Sequence, residues 1–263
     1  MTKLMAVCFL VLGSAAGAIA PAAWAGQPLE TESTRILSPG KFELEAGFEH
    51  QRSGDGTESA VPLAIEYGVT SRLELLVEPV LYNRIHDKGA ASQTGIGDVE
   101  VTATSLLHRE RNGSPSIALA GEVKIPTAKN YRIGSGETDY SLYLIGGKRS
   151  GRWDTQVNVG YTIVGAPSGV HVNNMENFAV SEEYRWKEQW QLVGEVFGHT
   201  AAQNVGEGTA TPTNPSTPEI GGAEVVGAIG ARYLSLDGFT YTLGLSIDNN
   251  GAFLVHPGIT LRW

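Results

Sequence analysis

The sequence has little cysteine, little charge and no long apolar stretch beyond its beginning. Its only cysteine is Cys8, so a disulfide-stabilised secreted fold is excluded. Charged residues make up 18% of the 263 residues, below the roughly 25% of an average soluble domain. The formal net charge of -9 argues against a nucleic-acid partner, because phosphate binding requires a basic surface. The single long apolar run argues against a bundle of transmembrane helices.

That apolar run has the pattern of a secretory signal peptide. A basic residue, Lys3, precedes an apolar stretch over residues 4–20, which is followed by the sequence Ala23-Trp24-Ala25. Cleavage is therefore predicted after Ala25, and Cys8 is lost with the signal peptide. We divide the chain into a signal peptide (1–25), an N-terminal periplasmic segment (26–40) and a barrel (41–263). The middle segment is too short to be a plug domain, and it either hangs in the periplasm or enters the lumen.

The remainder of the chain alternates apolar and polar residues with a period of two, which is typical of strands with one apolar face. No stretch carries a sustained helical period. The predicted strands are Lys41–His50, Glu58–Tyr67, Arg72–Tyr82, Gly97–Leu107, Ser116–Thr127, Thr138–Lys148, Trp153–Thr162, Met175–Trp186, Trp190–His199, Ile220–Tyr233, Phe239–Asp248 and Ala252–Trp263. The eighth is the weakest, because its apolar face carries Glu182 and its register is therefore open to a shift or a bulge. Strands of about ten residues match the 9–11 residues that a tilted strand needs to cross a bilayer.

The connections and the aromatic residues favour the same architecture. Odd-numbered connections are mostly long and even-numbered ones mostly short, as in outer-membrane barrels of Gram-negative bacteria. An aromatic belt is predicted at the periplasmic end and a second belt nearer the other end, where rings meet lipid headgroups. The periplasmic belt comprises Phe42, Tyr67, Trp153, Tyr184, Trp186, Trp190, Tyr233, Phe239 and Trp263. The alternative, a secreted soluble β-sandwich, explains the alternation but not the signal peptide, the loops and the belts together. The fold class predicted is therefore an all-β, closed antiparallel transmembrane barrel of about 12 strands.

Several segments resemble the phenol meta-pathway family of outer-membrane barrels. They are LSPGKFELE (37–45), YGVTSRLEL (67–75), GIGDV (95–99), VKIPT (123–127), NVGY (158–161) and LVGEVFG (192–198). The resemblance implies an outer-membrane barrel that passes small molecules, including aromatic compounds, and it brings no catalytic residues. The GIGD sequence is not a phosphate-binding loop, because no helix follows it, and its glycines are interpreted as a strand start or a bulge.

The predicted lumen is acidic. The candidate lumen-lining residues are Glu43, Glu45, Glu74, Glu78, Asp98, Glu100, Glu122, Lys124, Asp154, Glu195, Glu224, Arg232 and Arg262. Rings of carboxylates favour cations, so a water-filled pore with a mild cation preference is one hypothesis. The other is that these acids only solvate the lumen and pair with basic residues across strands.

The primary functional prediction is a channel or transporter for small solutes in the cell outer membrane. The alternatives are a non-conducting structural or surface-interaction barrel and, less favoured, a lipid-modifying enzyme. The enzyme would need an outward Ser-His pair, whereas His256 and Thr260 point inward in the predicted register. No cofactor and no metal site are expected, since the histidines are scattered. The expected partners are membrane lipid, a small solute and the barrel-assembly machinery, which would recognise the last strand ending at Trp263.

Overall fold

The structure, a computed structural model, describes residues 29–130, 132–166, 171–202 and 222–263. The predicted signal peptide and most of the predicted loop 200–219 lie outside these residues. Within the described ranges, no helix is long and apolar enough to cross a membrane.

The described residues form strands and connecting turns. The strand segments are β1 (Phe42–Gly47), β2 (Glu49–Arg52), β3 (Gly56–Thr70), β4 (Leu73–Asp87), β5 (Gln93–Gly95), β6 (Val99–His108), β7 (Ser116–Ile125), β8 (Asp139–Ser150), β9 (Trp153–Ile163), β10 (Met175–Lys187), β11 (Trp190–His199), β12 (Glu224–Leu234), β13 (Phe239–Asp248) and β14 (Phe253–Arg262).

These fourteen segments build twelve barrel strands. Segments β1 and β2 form one barrel strand, because both pair with β3 on one side and with β14 on the other. Segments β5 and β6 form another, because both pair with β4. All pairings are antiparallel between chain neighbours, and the ring closes where Glu43 of β1 pairs with Arg262 of β14. In the part of the chain that the structure describes, this confirms the closed antiparallel barrel of about twelve strands.

Alternation sorts the side chains between the two faces of the wall. In β9, Trp153, Val157 and Val159 are exposed, whereas Asp154 and Asn158 are buried. A strand reverses its side-chain direction at every residue, so this pattern puts the apolar set outside and the polar set inside. The same arrangement recurs around the ring, and it gives the barrel an outward apolar band. An apolar exterior around a polar interior is the arrangement of an outer-membrane barrel, and the protein is accordingly located in the cell outer membrane.

Aromatic side chains pair across neighbouring strands at the end where the chain enters and leaves the barrel. The ring centroids of Phe42 lie 4.5 Å from Tyr67 and 5.8 Å from Trp263. Two further pairs at this end are Trp153 with Tyr184, 4.5 Å apart, and Trp190 with Tyr233, 5.0 Å apart. Phe239 contacts Tyr241, and Trp186 is 49% exposed on the outer face. Rings at this level meet the headgroup region in a bilayer.

The eighth predicted strand keeps a regular register despite Glu182. Segment β10 pairs residue by residue with β9, and its only shift against β11 lies between Arg185 and Lys187. Glu182 therefore points outward, where it accepts a hydrogen bond of 2.6 Å from the Thr155 hydroxyl. Its Oε2 atom is buried and has no hydrogen-bond partner among the described residues.

Segments β3 and β4 extend beyond their predicted ends, to 15 residues each. At the end remote from both termini, the added residues 83–87 of β4 pair with residues 56–60 of β3, from Gly56–Asp87 to Ala60–Asn83. The glycine-containing sequence at residues 95–98 interrupts a barrel strand between β5 and β6. A Cβ atom on Gly97 would lie 2.6 Å from the Val80 Cβ, so only glycine allows this close approach.

Candidate functional site

The N-terminal segment, defined from here as residues 29–40, lies inside the barrel over residues 29–37, and residues 38–40 form an exposed turn before β1. Of the two placements considered from the sequence, the described part adopts entry into the lumen. Thr31, Ser33 and Thr34 are 4–6% exposed, although they belong to no strand. They are covered by the inner wall, so the segment narrows the lumen along much of its length.

Side-chain amides on the inner face of β9 hold the backbone of the segment. The Asn158 Oδ1 accepts from the Glu32 N–H at 2.7 Å, and the Asn158 Nδ2 donates to the Glu32 carbonyl at 2.9 Å. The Gln156 Oε1 accepts from the Thr34 N–H at 3.2 Å. Glu32 and Thr34 are two residues apart, and so are their partners Asn158 and Gln156. The two spacings match because the segment and the strand are both extended and have the same rise per residue. These amides satisfy backbone groups that would otherwise be buried without partners.

Carboxylates and hydroxyls fix the segment at both ends. Glu195 accepts hydrogen bonds from the Glu30 N–H, at 3.0 Å, and from the Thr31 hydroxyl. Glu74 accepts from the Leu37 N–H at 2.5 Å. A carboxylate that accepts backbone N–H bonds gives a stronger contact than a neutral acceptor does.

Arg35 joins the segment to the charged wall. Its guanidinium donates to Asp154 at 3.1 Å and to Glu183 at 2.9 Å. Each of these acids has a second arginine on the wall: Arg149 lies 2.9 Å from Asp154, and Arg232 lies 3.0 Å from Glu183. Buried charges are costly unless they are paired, and this network pairs them.

An apolar patch on the inner wall receives one side chain of the segment. Leu106, Ala118, Ala120 and Ile145 are 0–5% exposed and form a buried cluster, and Ile36 packs against it. These inward apolar residues are exceptions to the polar interior, and burying Ile36 on them adds a hydrophobic contribution to the docking.

Two cavities lie on either side of the segment. The outer chamber, of about 380 Å³, contacts residues 29–32 and the wall towards the long loops. Its acidic lining residues outnumber its basic ones, which comprise Lys124 and the imidazole of His199. The acidic lining residues are Glu30, Glu32, Glu45, Glu66, Glu78, Glu100, Glu122 and Asp139. Lys124 itself forms an ion pair with Asp139.

The inner chamber, of about 860 Å³, contacts residues 34–38 and opens towards Trp263. Its lining carries more basic than acidic residues. The basic residues are Arg35, Lys41, Arg109, Lys148, Arg149 and Arg262, and the acidic ones are Glu66, Glu74, Glu110 and Asp154. The acidic excess read from the sequence is therefore unevenly distributed, and it is concentrated in the outer chamber.

Two carboxyls of the N-terminal segment have raised pKa values. Desolvation by the surrounding barrel wall, together with the nearby carboxylate of Glu195, raises the pKa of Glu30 to about 8, although the residue is exposed to the lumen. Burial, together with Glu122 and Glu74, raises the pKa of Glu32 to about 7. Both effects disfavour the charged form, so these acids change charge near neutral pH.

The candidate lumen residues fall into three groups. The largest contacts a chamber, the N-terminal segment or both: Glu45, Glu74, Glu78, Glu100, Glu122, Lys124, Asp154, Glu195 and Arg262. Two lie buried in ion pairs on the inner wall, Glu43 with Arg262 and Arg232 with Glu183. The last two lie at the loop end: Asp98 accepts from the Ala128 N–H at 2.9 Å, and Glu224 lies 3.6 Å from His199.

Several residues that form the narrow part of the lumen are not among the candidates predicted from the sequence. Glu183 could have been found, because Tyr184 and Trp186 face outward and side chains alternate along a strand, which assigns Glu183 to the interior. Arg35 lies before the first strand, where no alternation assigns a face. Alternation along β9 assigns Gln156 and Asn158 to the interior, but it does not indicate that they bind a backbone.

Three exposed Ser-His hydrogen bonds occur among the described residues, at 2.9–3.0 Å: His50 with Ser59, His86 with Ser92 and His108 with Ser114. Among the described residues, no group of three or more His, Cys, Asp or Glu side chains could hold a metal ion. His256 and Thr260 are each 3% exposed on the inner side of β14, and the Thr260 hydroxyl donates to Glu45 at 3.0 Å.

The chain matches the model of a protein family and the folds of solved membrane channels. The family is described as "Putative MetA-pathway of phenol degradation", and its model matches residues 25–237. No curated protein is similar enough in sequence to count as a relative.

Solved structures share the fold at low sequence identity. An outer membrane channel from Pseudomonas putida F1 is 12% identical, with a TM-score of 0.69 over 89% of this chain and 100% of the other. The KdgM porin, in complex with disordered oligogalacturonate, is 10% identical, with a TM-score of 0.55 over 83% and 98%. The NanC porin is 9% identical, with a TM-score of 0.55 over 83% and 98%.

Proposed function

The chain belongs to the family described as the MetA pathway of phenol degradation, and we propose that it is an outer-membrane channel for the passive passage of small solutes. The proposed solutes are small organic compounds, aromatic ones among them, and the path leads through an acidic lumen. The channel and porin folds that the chain resembles are consistent with this role, although the fold alone does not carry it.

The observation that carries the proposal is the charge of the outer chamber. Eight of its lining residues are acids, and its Lys124 is paired with one of them. Carboxylates that line a pore lower the energy of cations and raise that of anions within it. If the luminal acids had no role in selectivity, we would expect them to be paired with basic residues, as Asp154 is in the inner chamber. The proposed channel therefore prefers cations, and the preference arises in the outer chamber.

The competing proposal is a non-conducting barrel with a structural or surface-interaction role. The N-terminal segment favours it, because the segment fills the lumen between the two chambers. A lipid-modifying enzyme is less favoured, because His256 and Thr260 face inward, away from lipid. In either case, we propose that the assembly machinery recognises β14 and the terminal Trp263.

The test is the reversal potential of the refolded protein in planar bilayers across a KCl gradient. Wild type is expected to reverse on the cation-selective side. The Glu100→Gln/Glu122→Gln variant removes two carboxylates from the outer chamber and is expected to move the reversal potential towards zero. Glu182→Gln is the control: it removes one carboxylate from the outer face by the same Glu-to-Gln change, and it is expected to leave selectivity unaltered.

Anion preference in wild type would refute the acidic-lumen proposal. If the reversal potential shifted equally in the luminal variant and in Glu182→Gln, the shift would depend on the overall charge of the protein and not on the carboxylates of the outer chamber. A folded barrel with no conductance would favour the structural alternative.

A further inference from the structure

A group of four basic side chains lies on the outward face of the barrel at its loop end. We call it the basic patch and define it as His50, Arg52, Arg84 and His86, all of which are exposed. They belong to two adjacent rows of cross-strand pairs on β2, β3 and β4, His50–Ser59–Arg84 and Arg52–Thr57–His86. Side chains in cross-strand register share one face of a sheet, so the four basic groups lie side by side.

A β-bulge in β4 gives two members of the patch their outward direction. In its pairing with β3, this strand contains one extra residue, Leu81. The odd-numbered Leu75 is exposed on the outer face before the bulge, whereas the odd-numbered Asn83 is buried after it. The extra residue thus inverts the alternation. Arg84 and His86 face outward for this reason, and a regular strand would direct them into the lumen.

The basic patch lies just beyond the aromatic rings at the loop end of the barrel. Phe48 precedes His50 by two residues, and Tyr82 precedes Arg84 by two; both rings are exposed. Phe253 of the neighbouring β14 is exposed as well. Aromatic rings mark the level of the lipid headgroups, and two residues of a tilted strand rise about 5 Å along the barrel axis. The patch therefore lies at the depth of the phosphate groups of the outer leaflet.

Hydroxyl groups, and not carboxylates, contact the basic patch. The Nδ1 of His50 lies 2.9 Å from the Ser59 hydroxyl, and the Nδ1 of His86 lies 3.0 Å from the Ser92 hydroxyl. The Arg84 Nη2 donates to the same Ser92 hydroxyl at 3.4 Å. In the part of the chain that the structure describes, none of the four basic side chains forms an ion pair, whereas three other partly exposed bases are each paired with an acid. The patch therefore presents positive charge that no acid compensates.

The Ser-His contacts of the patch do not form a hydrolytic site. A serine nucleophile needs an imidazole that a third group orients through its other ring nitrogen. Among the described residues, no carboxylate forms a hydrogen bond with the Nε2 of His50 or of His86. Both imidazoles therefore contribute polar groups to a binding surface and do not act as general bases.

The basic patch is confined to one sector of the barrel wall. At the same end of β8 to β13, the outward side chains include Tyr140, Tyr161, Glu176, Phe178, Val225 and Ile247. These residues are apolar or aromatic except for one acid. The formal net charge of the chain is -9, so the charge of the patch is opposite in sign to that of the whole protein. A local reversal of this kind is suited to an anionic partner.

We propose that the basic patch binds the phosphate groups of an anionic glycolipid in the outer leaflet of the membrane. Guanidinium groups bind phosphate oxygens through two parallel hydrogen bonds, and Arg52 and Arg84 lie on the two strands that flank β3. Ser59 adds a hydroxyl between them. The acyl chains of such a lipid then lie along the apolar wall, past Phe48 and Tyr82. This lipid site does not depend on whether the barrel conducts.

The first test is native mass spectrometry of the folded barrel in detergent, with diphosphorylated lipid A as the added lipid. Wild type is expected to retain lipid A. Arg52→Gln/Arg84→Gln is expected to bind it about thirtyfold more weakly, because each basic residue near a lipid surface contributes a factor of about five. Arg72→Gln/Arg152→Gln is the matched control: it makes the same change at two exposed arginines of the periplasmic turns, and it is expected to leave retention unchanged.

A second variant keeps every basic residue in place. Thr94 of β5 pairs with Arg84, so Thr94→Glu introduces a carboxylate beside the guanidinium. This variant is expected to weaken the retention of lipid A as well, and it tests the patch even if the double arginine variant does not fold. Heat-dependent gel mobility verifies the folding of each variant.

The position of the patch is tested separately in phosphatidylcholine vesicles. Arg84→Cys introduces a single cysteine, because the mature chain is predicted to have none. A fluorophore attached to it is expected to be quenched more by a lipid with a nitroxide in its headgroup than by a lipid with a nitroxide in mid-chain. The same fluorophore in the Glu182→Cys variant is expected to show the reverse order. Absence of quenching at position 84 by either lipid would overturn the outward placement and hence the proposal.

Four further results would overturn the lipid site. The first is equal retention of lipid A in wild type and in both patch variants. The second is an equal loss of retention in the control variant, which would indicate a nonspecific effect of charge. The third is equal retention of phosphatidylglycerol, or displacement of lipid A by an equal concentration of inorganic phosphate, since either would show that the patch accepts any phosphate. The fourth is retention of polyglutamate in place of the lipid, which would indicate an acidic protein partner.

Discussion

Replacement of Glu182 by leucine is expected to stabilise the barrel. Glu182 points to lipid from β10, four residues from the exposed Trp186 and four from the exposed Phe178. Four residues of a tilted strand rise about 10 Å along the barrel axis, so Glu182 lies near the middle of an apolar band about 25 Å tall. A basic residue on the lipid face at that depth lowers the free energy of unfolding by roughly 2–4 kcal/mol, and an acidic residue lowers it less, by about 1–2 kcal/mol.

The hydrogen bond from Thr155 offsets part of this cost. It measures 2.6 Å, while the other carboxylate oxygen of Glu182 has no partner among the described residues. Glu182→Leu should therefore raise the free energy of unfolding by about 0.5–1 kcal/mol, and Thr155→Val alone should lower it by about 1 kcal/mol. In the Glu182→Leu background, Thr155→Val should no longer destabilise, because the hydroxyl has lost its acceptor.

The assay is urea unfolding in lipid vesicles, followed by tryptophan fluorescence. Val196→Leu serves as a control, since it exchanges one lipid-facing apolar residue for another on the neighbouring strand. A Glu182→Leu barrel that is less stable than wild type would refute the outward orientation at this depth. A Thr155→Val effect that is the same in both backgrounds would refute the role of the hydrogen bond.

Three further predictions concern the lumen and the wall. Because the pKa values of Glu30 and Glu32 are raised to about 8 and about 7, the preference for cations should increase as pH rises from 6 to 9 and should fall on acidification. The reversal potential measures this preference, and Glu30→Gln/Glu32→Gln should abolish most of its change between pH 6 and pH 9. Arg232→Met should lower the free energy of unfolding by about 2–3 kcal/mol, below the usual 3–5 because Arg35 still pairs with Glu183. Trp263→Ala should reduce the fraction of folded barrel recovered from the outer membrane more than Trp186→Ala does, as judged by heat-dependent gel mobility.

The barrel could be predicted from the sequence because its two faces meet different solvents. Trp153, Val157 and Val159 must face lipid while Asp154 and Asn158 face the interior, and this requirement imposes a period of two. Strand ends were less predictable. The pairs from Gly56–Asp87 to Ala60–Asn83 extend the ladder beyond the predicted end of β4 at Tyr82, where no apolar face is needed and the alternation fades.

The narrow part of the lumen could be predicted only in part. The inward acids follow from alternation, but the path of the N-terminal segment does not, because it is held through backbone groups. Asn158 and Gln156 bind the N–H groups of Glu32 and Thr34, and any residue except proline supplies such a group. The apolar Ile36 and the patch that receives it are far apart in sequence, so no local pattern joins them.

A solute channel is distinguished from a non-conducting barrel by the swelling of liposomes that carry the refolded protein, in solutions of small sugars or aromatic acids. Folding is verified in the same sample by the heat-dependent gel shift. Wild type is expected to swell at a rate that decreases with solute size and that becomes faster when residues 29–36 are removed. A fully folded barrel that passes no solute in either form would contradict the proposed channel function.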